Sequence, residues 1–486
     1  MISWLSIDFL LAFVVLRRTE IAGSTDLSIC CVIVRDCGYL ISNSDGNSCL
    51  AAFDSFTTAR TLWNAPLDLF EQMAAADGDW SHARLGWQNL YLASHPDLIK
   101  ELLVKRDDVF GKGAPLRRSS ILLGQGLLTS EGDQHRCQRR RIQPAFNKRR
   151  VNAHADIAAA YSNEVASGWR DGQQIDLSAE MMRLSQRIVA KALLDTDIQD
   201  ARAREVGGAL DTLVQKFGWL VLPFSGLLWH LPIPAMTRLH RARDYLDEFV
   251  KNLIEQRRLH GDQGDVISMM LTSKDDYGQS MPEELIRDEV MTLFLAGHDT
   301  TGNSLAWTFH LLAQNPEVEH VWYKELKQVL NGRLPTTQDL PKLEFTRRLF
   351  TESMRLFPPV PAVGRTATED TSIGGHRVSK GSIVEVCPWV LHRDPRFFPN
   401  PSRFDPDRWT EDFTHNLPTG AYIPFGIGPR TCIGMPFAWM VGVVVMATLG
   451  QRWRLQSAQP GPVEFLPRSI TLRPRNGLSM LPEARR

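Results

Sequence analysis

Apolar residues recur at helical spacing through most of the chain beyond about Leu62. In DLIKELLVKRDDVF (97–110), apolar side chains lie three and four positions apart, as on the buried face of an amphipathic helix. Short runs of β type are fewer, for example NLYLASHPD (89–97) and SIVEVCPWVL (382–391). The pattern therefore predicts a mainly α protein with a minor β-sheet portion. Further helices are predicted over residues 151–168, 176–195, 201–217, 235–259, 283–315 and 437–449.

The first 50 residues differ from the rest because they show little periodicity. Their apolar run, Phe9 to Leu16, follows Asp8 and is much shorter than the ~20 apolar residues that span a membrane. It also lacks the basic start and the small-residue cleavage site of a secretory signal. We expect residues 1–50 to be an extension of uncertain order or a weak membrane-surface anchor. No linker or repeat divides residues 51–486, which we expect to form a single domain.

The overall charge excludes a strong general attraction to polyanions. The 486 residues include 55 basic (Lys and Arg) and 55 acidic (Asp and Glu) side chains, so the chain as a whole is neutral. The seven cysteines are odd in number and unevenly spaced, which does not suit a secreted disulfide framework. We therefore expect a reducing, cytoplasmic location, with peripheral attachment to a membrane as the alternative.

One cysteine, Cys432, lies in a glycine-rich stretch, FGIGPRTCIGMP (425–436), directly before a predicted helix. A thiolate needs a metal, a cation or a helix N-terminus to hold its charge, and the following helix supplies free N–H groups. The glycines allow the backbone to lie close against a flat partner. Arg430 offers two parallel donors to a carboxylate. A flat partner with a central metal and carboxylates at its rim is haem.

The spacing of the residues in this stretch, F-x-x-G-x-R-x-C-x-G, resembles the haem-ligand loop of the cytochrome P450 family. The resemblance implies the fold of that family, which is a large α-rich domain with a minor sheet portion. It also implies haem b as the cofactor, with the Cys432 thiolate as the axial ligand of the iron. The residues that carry the resemblance, and that would line the cofactor, are Phe425, Gly428, Arg430, Cys432 and Gly434.

A second stretch, AGHDTT (296–301), lies within the longest predicted helix and resembles the oxygen-binding helix of the family. By this resemblance, Ala296 and Gly297 leave room for haem and O₂ on one face of the helix. The Thr300 hydroxyl is expected to bond a local carbonyl and to loosen the helix there. Asp299 and Thr300 would then relay protons to the oxygen.

A third stretch, ESMR, fits the pattern E-x-x-R and places Glu352 and Arg355 on one face of a helix. Such pairs are common on helices, but here two prolines follow in LFTESMRLFPP. In the family this pair joins an arginine from a later loop, which Arg408 in FDPDRW matches. The resemblance implies a buried charge network that supports the cysteine loop.

The stretch GDQHRCQRRRIQPAF (132–146) resembles the helix that crosses the haem edge in this family. The resemblance implies that His135 and Arg139 contact one haem propionate and that Arg430 contacts the other. Arg365 matches a further propionate-binding arginine. The alternative for the basic residues of this stretch is a solvated helix face.

The resemblance implies a monooxygenase that inserts one atom of O₂ into a lipophilic substrate such as a fatty acid, a terpenoid or a steroid. The expected pocket is apolar and includes Phe294 and Leu295, while Arg117 and Arg118 slightly favour a fatty acid carboxylate. Electrons would come from a ferredoxin or a flavodoxin-like donor with its NAD(P)H reductase. The basic residues between 136 and 150 suit an acidic donor better than nucleic acid, because aromatic residues do not alternate with them. We expect a monomer.

Two alternatives use the same cofactor. A haem-thiolate isomerase or peroxygenase needs no external electrons, and such proteins often lack the acid–alcohol pair that Asp299 and Thr300 provide. A non-catalytic haem-binding sensor or carrier has no use for that pair. Turnover that requires NAD(P)H and redox proteins would exclude the first alternative, and product formation would exclude the second.

Overall fold

The computed structural model describes residues 55–198, 200–216, 229–230, 233–458, 461–466 and 469–485. The chain separates into two units, Met1–Leu50 and Ala51–Arg486, and the first lies outside the described residues. The expectations for residues 1–50 therefore remain predictions. Most of the apolar, proline-containing segment 217–234 also lies outside the described residues.

Helices make up most of the described chain, as the periodicity predicts. Several helices are short. In the stretch 97–110, helix Pro96–Lys100 continues as a π-turn, Glu101–Lys105, and a strand begins at Phe110. In chain order the helices are α1 (Ser55–Asn64), α2 (Pro66–Asp77), α3 (Pro96–Lys100), α4 (Ala114–Arg118), α5 (Ser120–Leu123), α6 (Gly132–Ile142), α7 (Lys148–Asn152), α8 (Ala155–Gly168), α9 (Leu177–Leu194), α10 (Asp200–Lys216), α11 (Pro234–His260), α12 (Val266–Thr272), α13 (Glu283–Gln314), α14 (Pro316–Leu330), α15 (Glu344–Leu356), α16 (Pro388–Leu391), α17 (Glu411–Asn416) and α18 (Met435–Arg452).

The strands form small sheets at the side of this helical body. A mixed sheet has the order β1-β2-β8-β5-β3, in which only β2 and β8 are parallel. Strands β4, β10 and β9 form an antiparallel sheet, and β6 pairs with β7. The strands are β1 (Trp80–Leu85), β2 (Gln88–Ala93), β3 (Phe110–Lys112), β4 (Ile175–Asp176), β5 (Val363–Ala367), β6 (Thr371–Ile373), β7 (His376–Val378), β8 (Ile383–Val386), β9 (Trp453–Ser457) and β10 (Ser479–Ala484).

The long helix α13 forms the centre of the core. It begins after Pro282, with two glutamates in its first turn where the helix dipole favours negative charge, and Pro316 starts the next helix. Most of its side chains are buried on all sides, so it is a core helix and not a surface helix. It packs against α9, α15 and α18, which brings the AGHDTT stretch, the ESMR helix and the helix after Cys432 into one region.

One predicted strand is shorter than expected. The run 382–391 is extended only over β8, because Pro388 starts the helix α16. Among the described residues, no helix has the length and the apolar character needed to cross a membrane.

Candidate functional site

The loop before α18 holds Cys432 through backbone hydrogen bonds. The Cys432 N–H donates to the Phe425 carbonyl at 2.9 Å, and the Gly426 N–H donates to the Ile423 carbonyl at 3.0 Å. Thr431 closes the tip of the loop, since both its N–H and its hydroxyl donate to the Gly428 carbonyl. The position of the Cys432 backbone is therefore fixed by the main-chain hydrogen bonds of the loop.

Gly428 is required at its place in this loop. Its φ of +80° is unfavourable for other residues, and an added Cβ would lie 2.2 Å from the Leu103 carbonyl oxygen in the π-turn. Gly426 also has a left-handed φ of +71°, but nothing lies within 4 Å of a Cβ there. Gly428 thus allows both a special backbone conformation and a close approach between the loop and the π-turn.

Protein atoms surround the Cys432 sulfur, and yet the side chain is solvent-accessible. This combination is typical of a side chain that lines an internal cavity. Burial raises the pKa of the Cys432 thiol, while the N–H groups of Gly434 and Met435 and the charge of Arg139 act in the opposite direction. A thiolate at this position therefore needs a cation in front of the sulfur, and a metal provides one.

Glu352 and Arg355 form a buried ion pair below this loop. Both side chains are fully buried, and two parallel hydrogen bonds of 2.8 Å join them. The remaining Arg355 N–H groups donate to the carbonyls of His392, Pro401 and Arg403. The pair therefore connects α15 with the segment that precedes the cysteine loop.

Other groups complete the hydrogen bonding of Glu352. The Arg408 guanidinium lies 3.4 Å from Glu352, in the arrangement that the family resemblance implies, and the Trp409 indole donates to Glu352 at 2.8 Å. From there the contacts continue to the loop, because the His392 Nε2 accepts the Ile423 N–H at 3.0 Å. Trp409 and His392 are members of this network that the sequence analysis missed.

Three cations, the buried Lys112 and Arg365 and the partly buried Arg430, form a group that we call the cation cluster. Lys112 in β3 lies directly opposite Arg365 in β5. Burial and the neighbouring cations Arg430 and Lys112 lower the pKa of His135 to about 4, so this imidazole is neutral at pH 7. Like charges placed opposite each other on a sheet are unfavourable unless anions compensate them.

Only part of this positive charge is compensated by the protein. Arg430 lies 3.2 Å from both Asp107 and Glu131, and Glu131 also accepts the Lys112 backbone N–H. Among the described residues, the buried Arg430 Nη1 and Arg365 Nε have no hydrogen-bond partner. These free donors fit the two propionates of haem, so Arg365 and Arg430 would hold them, with the positive charge of Lys112 nearby.

Arg139 contacts the cysteine loop directly. Its Nη1 donates to the Thr431 carbonyl at 2.7 Å, so the guanidinium lies against the residue before Cys432. Arg139 therefore supports the cysteine loop and places a positive charge near the sulfur, and its expected contact with a haem propionate remains a prediction. Burial and the charges of Lys112, Arg430 and Arg139 all help to lower the pKa of His135.

On the opposite side of the site, helix α13 presents Ala296 and Thr300. Ala296 is exposed although the helix around it is buried, and Leu295 and Thr300 are half-buried, so an internal cavity begins at this face. The Thr300 hydroxyl donates to the Ala296 carbonyl at 2.9 Å, the local bond that the sequence predicts. The helix is nevertheless continuous through this point.

Two residues of this helix do not face the cavity as expected. A Cβ on Gly297 would lie 3.2 Å from Val189 in α9, so Gly297 allows two helices to approach and does not form the haem face. Phe294 is buried against Phe249, with ring centroids 6.1 Å apart, and does not line the pocket. Both errors have one cause, because the sequence does not reveal how the helix is rotated about its axis.

Asp299 is held by an arginine that the sequence analysis missed. The Arg473 Nε donates to the Asp299 Oδ1 at 2.7 Å, and the Arg473 Nη1 donates to Asp211 in α10 at 2.9 Å. Arg473 lies 174 residues from Asp299 along the chain, so no local spacing could have indicated the pair. Asp299 Oδ2 accepts no hydrogen bond among the described residues.

The comparisons with known proteins agree with this geometry. The sequence profile of the family described as Cytochrome P450 matches residues 51–480. The chain belongs to the cytochrome P450 family.

Bacterial relatives match over most of their length. Cyclooctatin synthase of Streptomyces melanosporofaciens is 37% identical, over 84% of this chain and 90% of the relative. Cyclooctat-9-en-7-ol 5-monooxygenase of the same organism is 36% identical over 81% and 86%, and pentalenene oxygenase of Streptomyces avermitilis is 34% identical over 79% and 86%. The crystal structure of the cytochrome P450DA heme domain has a TM-score of 0.80 and 26% identity, over 89% of this chain and 96% of that domain.

This P450 is a monooxygenase that binds haem with cysteine thiolate ligation. The mainly α fold with minor sheets is likewise the P450 fold. The protein needs redox partners, O₂ and a lipophilic substrate. The alternatives of an isomerase or peroxygenase and of a non-catalytic carrier are therefore set aside.

Proposed function

We propose that this P450 oxidises a terpenoid hydrocarbon or terpenoid alcohol. The observation that carries the proposal is the apolar, accessible surface of Leu295 and Ala296 next to the Thr300 hydroxyl, which suits an apolar substrate. The names of the similar bacterial enzymes refer to terpenoids, which favours this class over the fatty acids that Arg117 and Arg118 suggest. Both of these arginines are exposed.

Haem, when bound, supplies the activation of O₂ and the attack on a C–H bond. The residues of the chain provide the ligand, the proton path and the exclusion of water. Cys432 is the ligand, and the Arg139 guanidinium and the helix N–H groups support the negative charge on its sulfur. The cation cluster binds the propionates.

Thr300 and Asp299 deliver protons in this proposal. Thr300 Oγ1 stands at the accessible face of α13, where its hydroxyl can pass a proton to oxygen and still return to the Ala296 carbonyl. Asp299 receives protons at Oδ2, because Arg473 occupies Oδ1. Arg473 acts as a positioning residue that keeps this carboxylate at a fixed place.

A screen of substrates tests the terpenoid proposal. Cyclic terpene hydrocarbons, their alcohols and fatty acids of similar carbon number are added to the ferric protein, and the spin-state change and the products formed with a surrogate reductase are recorded. We expect changes and monohydroxylated products from the terpenoids alone. Turnover of fatty acids without any terpenoid product would overturn the proposal.

The variant Thr300→Ala tests proton delivery. We expect the carbon monoxide spectrum to be unchanged, while most of the NAD(P)H consumed yields hydrogen peroxide instead of product. Removal of a group that transfers protons in a reaction typically lowers the rate of product formation by about 10²–10⁴-fold. Ser304→Ala is the matched control, since this hydroxyl lies one turn away and donates to the Thr300 carbonyl. An unchanged ratio of product to NAD(P)H in Thr300→Ala would remove the assignment.

We further propose an acidic ferredoxin as the electron donor. Local ion pairs engage Arg136 with Asp133, Arg140 with Asp276 and Arg141 with Asp275, so part of the predicted basic surface is neutralised. The exposed side chains of Lys148, Arg149 and Arg150 in α7 have no ion pair among the described residues, and we call them the basic triad. Helix α7 packs against α18, and the ring of His154, which directly follows, contacts Phe437, so the triad lies on the cysteine side.

Reversal of these charges tests the proposed docking surface. With all three residues of the basic triad changed to Glu, we expect kcat/KM for an acidic ferredoxin to fall by about 10-fold or more at low salt and the difference to shrink at high salt. The control reverses Arg238, Arg241 and Lys251, exposed cations of α11. If kcat/KM for the ferredoxin fell equally in both triple variants, the effect would be one of general charge, and the basic triad would not be a specific docking surface.

A further inference from the structure

A buried carboxylate, Glu289, lies two turns before Ala296 on helix α13. Its side chain is fully buried, and its Oε2 accepts the Leu127 backbone N–H at 2.9 Å. Among the described residues, its Oε1 and the nearby Thr292 hydroxyl oxygen have no hydrogen-bond partner. Burial of a carboxylate costs folding free energy, so we expect Glu289 to have a function that offsets this cost.

The Leu127 peptide links Glu289 to the cation cluster. While its N–H donates to Glu289, its carbonyl accepts from the Lys112 Nζ at 2.9 Å. Lys112 donates in addition to the Ser130 carbonyl at 2.6 Å. Leu127 belongs to the loop between α5 and α6 (residues 124–131). It therefore stands between the buried acid and the buried lysine, and it hydrogen-bonds to both.

The electrostatics of the two groups agree with this arrangement. Burial raises the pKa of Glu289 to about 7, and Lys112 partly offsets this effect. Burial lowers the pKa of Lys112 to about 8, with Glu131 and Glu289 acting in the opposite direction. Since water does not solvate either group, the backbone of the loop must supply their hydrogen bonds.

We propose that Glu289 is a positioning residue for haem binding, which acts through the Leu127 peptide to hold Lys112 in the cation cluster. It fixes the direction of the Leu127 N–H and thus of the carbonyl that holds Lys112. The loop lies tightly on the helix, since a Cβ on Gly126 would lie 2.3 Å from the Thr292 hydroxyl oxygen. A loss of Glu289 would therefore disturb the cation cluster through Leu127 and Lys112.

The rate of haem loss tests this role without reference to turnover. The ferric holoenzyme is mixed with excess apomyoglobin, and the transfer of haem is followed by absorbance. For E289L, which removes the acceptor of the Leu127 N–H, we expect about 10-fold faster loss, at the lower end of the range for groups that support a ligand. For E289Q, which keeps an acceptor, we expect loss within about 2-fold of the unaltered protein.

Two further variants separate this role from general support of the loop. The Asp288 carboxylate accepts the Gln125 N–H of the same loop at 2.6 Å, but among the described residues Gln125 is not hydrogen-bonded to Lys112. D288A therefore removes one support of the loop without breaking the path from Glu289 to Lys112. We expect a small effect from D288A, and an effect equal to that of E289L would overturn the proposal. A double-mutant cycle of E289L with K112M should be non-additive, because both changes break one path.

Additive effects of E289L and K112M on the rate of haem loss would likewise overturn the proposal. If K112M does not load haem, K112Q replaces it in the cycle. The inference rests on the P450 haem site and does not depend on the terpenoid substrate. The substrate screen and the haem-transfer experiment can therefore fail independently.

Discussion

The two sides of the haem site are held by different kinds of contact. On the cysteine side, Cys432 is fixed by main-chain hydrogen bonds, and Arg355 donates to a buried carboxylate and to carbonyls. On the side of the α13 helix, Asp299 depends on a side-chain ion pair with Arg473, whose other partner, Asp211, is about half exposed. Main-chain contacts fix an atom in place, whereas an ion pair with an exposed partner can open. The first side suits a permanent ligand, and the second suits a group that moves protons.

Removal of the ligand is the most severe test of this comparison. For Cys432→Ala we expect complete loss of activity and of the thiolate-type carbon monoxide spectrum, because the variant lacks the sulfur that ligates the iron. The control is Cys137→Ala, which removes a partly buried thiol on the helix that crosses this side. A thiolate spectrum that persists in Cys432→Ala would exclude Cys432 as the ligand.

Removal of one member of the buried ion pair should affect folding most. Arg355→Met leaves Glu352 buried without its main partner, which costs about 3–5 kcal/mol in the free energy of unfolding. We expect low haem content and an earlier urea transition. Arg347→Ala, at an exposed position of the same helix, should change the free energy of unfolding by less than about 0.5 kcal/mol. If the two variants unfolded at similar urea concentrations, the proposed role of the Glu352–Arg355 network would be contradicted.

Two glycine variants measure how closely the cysteine loop is packed. Gly426→Ala introduces only the strain of a left-handed residue, about 1–2 kcal/mol, since nothing lies near the new methyl group. Gly428→Ala adds overlap with the Leu103 carbonyl, for which a further ~1–3 kcal/mol is expected. Thermal unfolding of the two holoproteins gives the difference directly. Equal melting temperatures would mean that the π-turn can move away from the loop.

The smallest change in stability is expected on the other side of the site. Asp211→Asn removes a half-exposed partner of Arg473, so the free energy of unfolding should fall by less than about 1 kcal/mol. Peroxide formation should nevertheless increase, because Arg473 is less well held and Asp299 is less well placed. Glu205→Gln, on the same helix, is the control and should not alter the ratio of product to NAD(P)H consumed. A large loss of stability in Asp211→Asn would show that both sides are equally rigid.

The sequence predicts the parts of this site that are local in the chain. Helix α13 was expected over 283–315 and spans Glu283–Gln314, because its apolar pattern and flanking prolines define it. The loop around Cys432 was recognised because its special residues are adjacent. The rotation of the helix was not predictable, and Gly297 was therefore assigned to the wrong face.

Contacts between distant segments were largely missed. Lys112 and Arg473 carry no local signal, since each gains its role from residues far away in the sequence. A cation in a short strand or near the end of a chain is usually solvated, and only the fold shows that these two are buried. Arg408 was found only because the family pattern indicates which later arginine to consider.

The long sequence separation of Asp299 and Arg473 has a consequence for biosynthesis. A ribosome must add 174 residues after the aspartate before its partner arginine has even been made. Until then Asp299 lacks the guanidinium that holds its carboxylate in the folded protein. The Asp299–Arg473 pair therefore forms only after this later segment has been synthesised, and chains that stop shortly before position 473 should be unable to form it.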